Sequence, residues 1–185
     1  MDTAIVPRTL TRPRPAEHLV QLYEDESRLM RALEWFVLSG LEFDGAVIVI
    51  GTDEHLAELD RRLGHRGMDI ARREGRYIAL RAEEVLDKFM VHGWPNSKLF
   101  DAAICAVLER AKNNRDRPIR AFGEMVAILM ARGNPEATLR LEQLWNALLQ
   151  REGISLFCGY PRSVFKGDAS TLRLVCESHS HVLPD

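Results

Sequence analysis

The sequence predicts an α/β domain built as a three-layer sandwich, with helices on both faces of a mostly parallel central sheet. Three observations lead there. Short β-branched apolar runs alternate with longer segments of helical periodicity. The run at 46–50, an alanine followed by alternating valine and isoleucine, is apolar on both faces, as a strand covered on both sides must be. No internal repeat, low-complexity tract or linker breaks the alternation, so it belongs to one domain, expected over 17–185.

Taken in order, a leader over 1–16 holds Pro7, Pro13 and Pro15 and is expected to be poorly ordered. A short apolar stretch from His18 to Tyr23 runs into the acidic turn Glu24, Asp25, Glu26. Leu29, Met30, Leu33, Phe36, Val37 and Leu41 then recur at helical spacing over 27–41. After the central strand, Thr52 or Asp53 caps a helix bearing Leu56, Leu59 and Leu63, which Gly64 and Gly67 end. A strand at 77–80, a helix at 83–91 and an amphipathic helix at 100–112 follow. The last third reads as a strand at 118–123, a helix at 125–130 and a long helix from Asn134-Pro135 through Leu149. A strand at 153–158 and a helix capped by Asp168 complete it.

Composition excludes several classes of function. The chain of 185 residues is 46% hydrophobic and 28% charged, far too apolar for disorder. A net charge of -2 gives no global attraction to nucleic acid or to an anionic membrane. No apolar run approaches the roughly 20 residues of a membrane span. Cys105, Cys158 and Cys176 are odd in number and unpaired in spacing, which points to reduced thiols and a cytoplasmic protein.

In parallel sheets, ligands sit beyond the carboxyl ends of the strands. That directs attention to residues 23–27, 51–53, 123–124 and 159–161. The turn at 23–28 has neither glycine nor lysine and carries three carboxylates, so it cannot wrap a triphosphate as a phosphate-binding loop does. Cys176, His179 and His181 are metal-capable but lack a zinc pattern, and no metal site is expected. Cys158, ending an apolar strand, reads as a small buried hydrophobe. Glu124, at a strand-to-helix junction, suits either a cap or a ligand contact. The arginines at 61, 62, 66, 72, 73 and 76 read as a solvated surface, because aromatic interleaving is missing.

Several strings then occur together: His18-x-x-x-Leu22-Tyr23, Arg120-Ala-Phe-Gly-Glu-Met-Val126, Gly133-Asn-x-x-Ala137, Leu141-Glu-x-Leu-Trp-Asn146, Phe157-Cys-Gly-Tyr-Pro161 and Cys176-x-x-His179-Ser-x-Val182. In this order they resemble the MEDS domain, the methanogen/methylotroph sensory domain. The resemblance implies a RecA/KaiC-like fold without its phosphate-binding loop, and residues 36–69 are also similar to KaiC-type proteins. It implies a sensory role with a small, hydrocarbon-derived ligand. By motif position, His18, Tyr23, Glu124, Tyr160 and His179 become the candidate ligand-binding residues.

The resulting expectation is a stand-alone sensory module that signals through a histidine kinase, a transcription regulator or self-association. It has no catalytic residue, no cofactor, no direct nucleic-acid contact and no membrane anchor. The alternatives are a ligand-free interaction scaffold, which a side-chain-filled carboxyl edge would favour, and an enzyme. The enzyme would be a degenerate nucleotidase or a hydrolase using Cys158.

Overall fold

The computed structural model describes residues 7–64 and 68–184. Arg66, Gly67 and the first six residues of the expected leader lie outside the described residues. Among those described, the strands in chain order are β1 (His18–Tyr23), β2 (Ala46–Gly51), β3 (Tyr77–Arg81), β4 (Met90–Val91), β5 (Trp94–Pro95), β6 (Ile119–Gly123), β7 (Ser155–Pro161) and β8 (His181–Leu183). Six of them form one sheet in the order β3-β2-β6-β7-β1-β8, and every pairing in it is parallel. β4 and β5 make a separate antiparallel hairpin.

The helices are α1 (Arg8–Thr11), α2 (Glu26–Gly40), α3 (Asp53–Leu63), α4 (Met68–Arg73), α5 (Ala82–Leu86), α6 (Ser97–Lys112), α7 (Met125–Ala131), α8 (Pro135–Glu152) and α9 (Ala169–Glu177). They divide by face, because each strand sends alternate residues to opposite sides. Val47, Phe122 and Phe157 face α1 to α4, packing with Leu10, Leu29, Leu33, Phe36 and Leu59. Ile48, Ile50, Ala121 and Leu156 face α5 to α9, with Phe100, Ile104, Leu141, Trp145 and Val175. Each fully buried Leu or Phe contributes about 1.5–3 kcal/mol. Two apolar clusters on one sheet are the expected three-layer sandwich.

Local chemistry sets the helix starts. Thr52, Asn96, Asn134 and Asp168 each accept a backbone N–H three residues on. α2 must carry the chain from β1 across β7 and β6 to reach β2, so it runs close over the sheet. Gly159 of β7 permits this approach: a Cβ there would stand 2.9 Å from Leu29 Cδ1.

The structure differs from expectation in several places. The helix expected over 83–91 stops at Leu86, and the chain folds back through β4 and β5 about His92 and Gly93, both at positive φ. Part of the expected leader is α1, whose Leu10 is 2% exposed. α4 and the edge strand β8 are additional elements, because neither has a run long enough to show periodicity.

Candidate functional site

Inside the layer between the sheet and α8 lies a buried polar cluster. β1 contributes His18 at its start, β7 contributes Cys158 and Tyr160 on the same face, α8 contributes Glu142 and Asn146 one turn apart, and the turn after α9 contributes His179. His18 is 1% exposed, while Glu142, Cys158 and Tyr160 are fully buried. Donor atoms of His18, Glu142, Cys158 and His179 all lie within 4.8 Å of one another.

Hydrogen bonds fix how these groups face each other. Asn146 donates its amide nitrogen to the Ser178 carbonyl at 2.9 Å, which leaves its oxygen 2.9 Å from His18 Nδ1. A carbonyl can only accept, so the amide has one consistent orientation and His18 Nδ1 must be the donor. His179 Nδ1 likewise donates to the Val175 carbonyl at 2.6 Å. Both rings therefore turn Nε2 inward. His18 Nε2 stands 3.3 Å from Cys158 Sγ and 3.5 Å from Glu142 Oε2, and His179 Nε2 stands 3.6 Å from Glu142 Oε1. The Tyr160 hydroxyl donates to Glu142 Oε1 at 2.5 Å. Glu142 Oε2 and His179 Nε2 have no hydrogen-bond partner.

Burial governs the charges. It raises the Glu142 carboxyl above its ordinary pKa, against the opposing pull of His179 and the Tyr160 bond. It pushes His18 well below the usual imidazole value, with His179 adding to the effect. It pushes the Cys158 thiol well up, with Glu142 reinforcing it. Burial thus disfavours the charged form of all three groups. An activated nucleophilic cysteine needs the opposite shift.

A second group sits at the carboxyl edge. Glu124, just past β6, accepts the Thr52 backbone N–H at 3.0 Å and lies 2.5 Å from His55 Nδ1. Tyr23, ending β1, meets the His55 ring edge-on at 6.5 Å. Tyr23 and Glu124 are 4% and 3% exposed, so their side chains fill this part of the edge themselves. The clefts of about 290 and about 560 Å³ lie instead at the amino ends of the strands, around Arg12, Pro118 and Arg120.

The turn from β1 into α2 is capped by its own acid. Asp25 accepts the Ser27 backbone N–H and the Ser27 hydroxyl, each at 2.8 Å. A carboxylate thus caps the helix N-terminus, the end that favours an anion.

A family model described as "MEthanogen/methylotroph, DcmR Sensory domain" matches residues 17–180. The chain belongs to the MEDS family. Among solved structures, the MEDS domain is similar to a protein of Pyrococcus horikoshii OT3 that is described as a structural study, at 17% identity and a TM-score of 0.61. That match covers 92% of this chain and 82% of the other. At such low identity the likeness shows the α/β fold alone. No curated protein matches the chain.

The five candidate residues do not form one site in this MEDS domain. His18, Tyr160 and His179 converge on the buried cluster, whereas Tyr23 and Glu124 belong to the carboxyl edge with His55. Sequence reasoning missed Glu142, Asn146 and His55. Glu142 had a signal, since it falls on α8's buried stripe between Thr138 and Trp145, where a carboxylate needs a reason. Cys158 is buried in an apolar layer as expected, but His18 Nε2 also stands 3.3 Å from its sulfur. Cys176 and His181 take no part in the cluster, and His181 lies 3.3 Å from Glu17. The basic cluster is largely paired: Arg61 and Arg62 with Glu58, Arg72 with Asp60, and Arg76 with Glu74.

Proposed function

We propose that this MEDS domain is a sensory module whose receptor centre is the buried cluster of His18, Glu142, Cys158, Tyr160 and His179. It binds a small, hydrocarbon-derived molecule and passes the signal to a partner protein, a histidine kinase or transcription regulator. One observation carries this reading: inward-facing polar atoms left unpartnered in the buried core, at Glu142 Oε2 and His179 Nε2 of the same cluster. Such atoms are costly unless something binds them.

The route outward is short. His179 sits between α9 and β8, an edge strand of three residues held by β1. Leu174 and Val182 on these two elements are exposed, a surface for the partner beside the receptor centre. A ligand that prefers one placement of α9 and β8 shifts that surface, and without such a preference it signals nothing.

The filled carboxyl edge at Tyr23 and Glu124 favours the rival reading of a ligand-free scaffold. A scaffold, however, gives no reason for two unpartnered polar atoms to converge in one buried cluster. No catalytic role is proposed. Native mass spectrometry of freshly purified protein tests the reading. A retained small molecule that is lost in Glu142→Leu supports it. Protein that stays empty with one- and two-carbon chlorinated, hydroxylated or methylated compounds present leaves the scaffold.

A further inference from the structure

We propose that His18, Glu142, Cys158 and His179 form a binding site for one divalent transition-metal ion of the zinc class. The inference deepens the receptor reading above, resting on the same cluster.

The donor set is one thiol, two imidazoles and one carboxyl, the mixture that zinc accepts in four-coordinate sites. Metal–nitrogen and metal–sulfur bonds of about 2.1 and 2.3 Å imply tetrahedral edges of about 3.3–3.6 Å. The separations from His18 Nε2 to Cys158 Sγ, from His18 Nε2 to Glu142 Oε2 and from His179 Nε2 to Glu142 Oε1 are 3.3, 3.5 and 3.6 Å. A nitrogen–oxygen hydrogen bond would be shorter than the two contacts to Glu142, near 2.9 Å, whereas the Cys158 thiol at 3.3 Å is within hydrogen-bonding reach of His18. The two imidazoles thus approach different oxygens of Glu142 without bonding to them, and one donor atom from each of the four residues lies within 4.8 Å of the others.

The supporting groups agree. A metal-bound histidine donates its other ring N–H to an oxygen that fixes the tautomer. His18 does this to Asn146 and His179 does it to Val175. Tyr160 holds the carboxyl of Glu142 in the same way. Asn146 in turn reaches the Ser178 carbonyl, anchoring the turn that presents His179. The atoms left without partners, Glu142 Oε2 and His179 Nε2, are two of the proposed donors. The four ligands come from β1, α8, β7 and the turn after α9, so the ion would clamp the α9–β8 edge onto the sheet.

The test is metal analysis of untagged protein purified without chelators. Inductively coupled plasma mass spectrometry is expected to find one zinc per chain. Cys158→Ser and His179→Ala are expected to weaken zinc affinity about 10–100-fold or more while far-ultraviolet circular dichroism stays unchanged. If either variant fails to fold, wild-type protein refolded with cobalt(II) decides, with thiolate charge-transfer and intense tetrahedral visible bands expected. Zinc-free protein that also shows no thiolate–cobalt band overturns the proposal and leaves a hydrogen-bonded network without a metal. Zinc-loaded protein that answers to no organic molecule keeps the metal site and removes only the sensory reading. A molecule retained by metal-free protein does the reverse.

Discussion

Asn146 decides which ring nitrogen of His18 carries the proton. Its amide is oriented by the Ser178 carbonyl, and its oxygen therefore accepts from His18 Nδ1. A single side chain on α8 thus sets the chemistry of a residue on β1 and fixes the turn that carries His179. The buried cluster is arranged by such contacts between elements far apart in the chain.

Replacing Asn146 with alanine is expected to lower stability by about 1–3 kcal/mol, because the buried His18 ring and the half-buried Ser178 carbonyl lose their partner. Urea unfolding measures this. Asn146→Asp restores the acceptor for His18 but not the donor for Ser178, so it recovers only part of the loss.

The His55–Glu124 pair gives a pH dependence. The Glu124 hydrogen bond raises the His55 pKa above its ordinary 6.5, outweighing burial. The folded chain then binds the His55 proton more tightly than the unfolded chain does. The stabilisation is complete below the ordinary value and fades as pH climbs through the raised one. The stability gap between wild type and Glu124→Gln should accordingly be larger in mild acid than in alkali. A gap independent of pH would mean that the pair is uncharged.

Gly159→Ala should destabilise the fold by about 1–3 kcal/mol, as overpacking does. Its Cβ would press on Leu29 at 2.9 Å, with Phe122 close behind at 3.5 Å. Recovery of stability in Gly159→Ala combined with Leu29→Val, by double-mutant cycle, checks the cause.

Isothermal titration with ATP and magnesium is expected to give no heat of binding at micromolar concentrations, since Asp25 already takes the helix N-terminus. Measurable binding that Asp25→Lys strengthens would show that carboxylate to be a movable gate.

Much of the fold was legible in the sequence. The run at 46–50 reads as a buried parallel strand because β-branched residues fill both faces, and Thr52, Asn134 and Asp168 mark helix starts by their side-chain oxygens. Short elements such as β8 and the β4–β5 hairpin escape, having too few residues to establish a period. The site was half legible. His18, Tyr160 and His179 were picked out by motif position, but their companions Glu142 and Cys158 sit in stripes that are otherwise apolar. Spacings of 16 to 124 residues between the four metal-capable members (positions 18, 142, 158 and 179) leave no local pattern. Only the parallel pairing of β1 with β7 and the packing of α8 beneath them bring these residues together.

Hydrogen–deuterium exchange of the intact chain, with and without small chlorinated or hydroxylated hydrocarbons, bears most directly on the buried cluster as the receptor centre. Binding there should slow exchange in α9, β8 and the start of β1, leaving β2 and β3 unchanged. Protection confined to the 23–28 turn or the amino-end clefts, with α9 and β8 unaltered, would contradict the account.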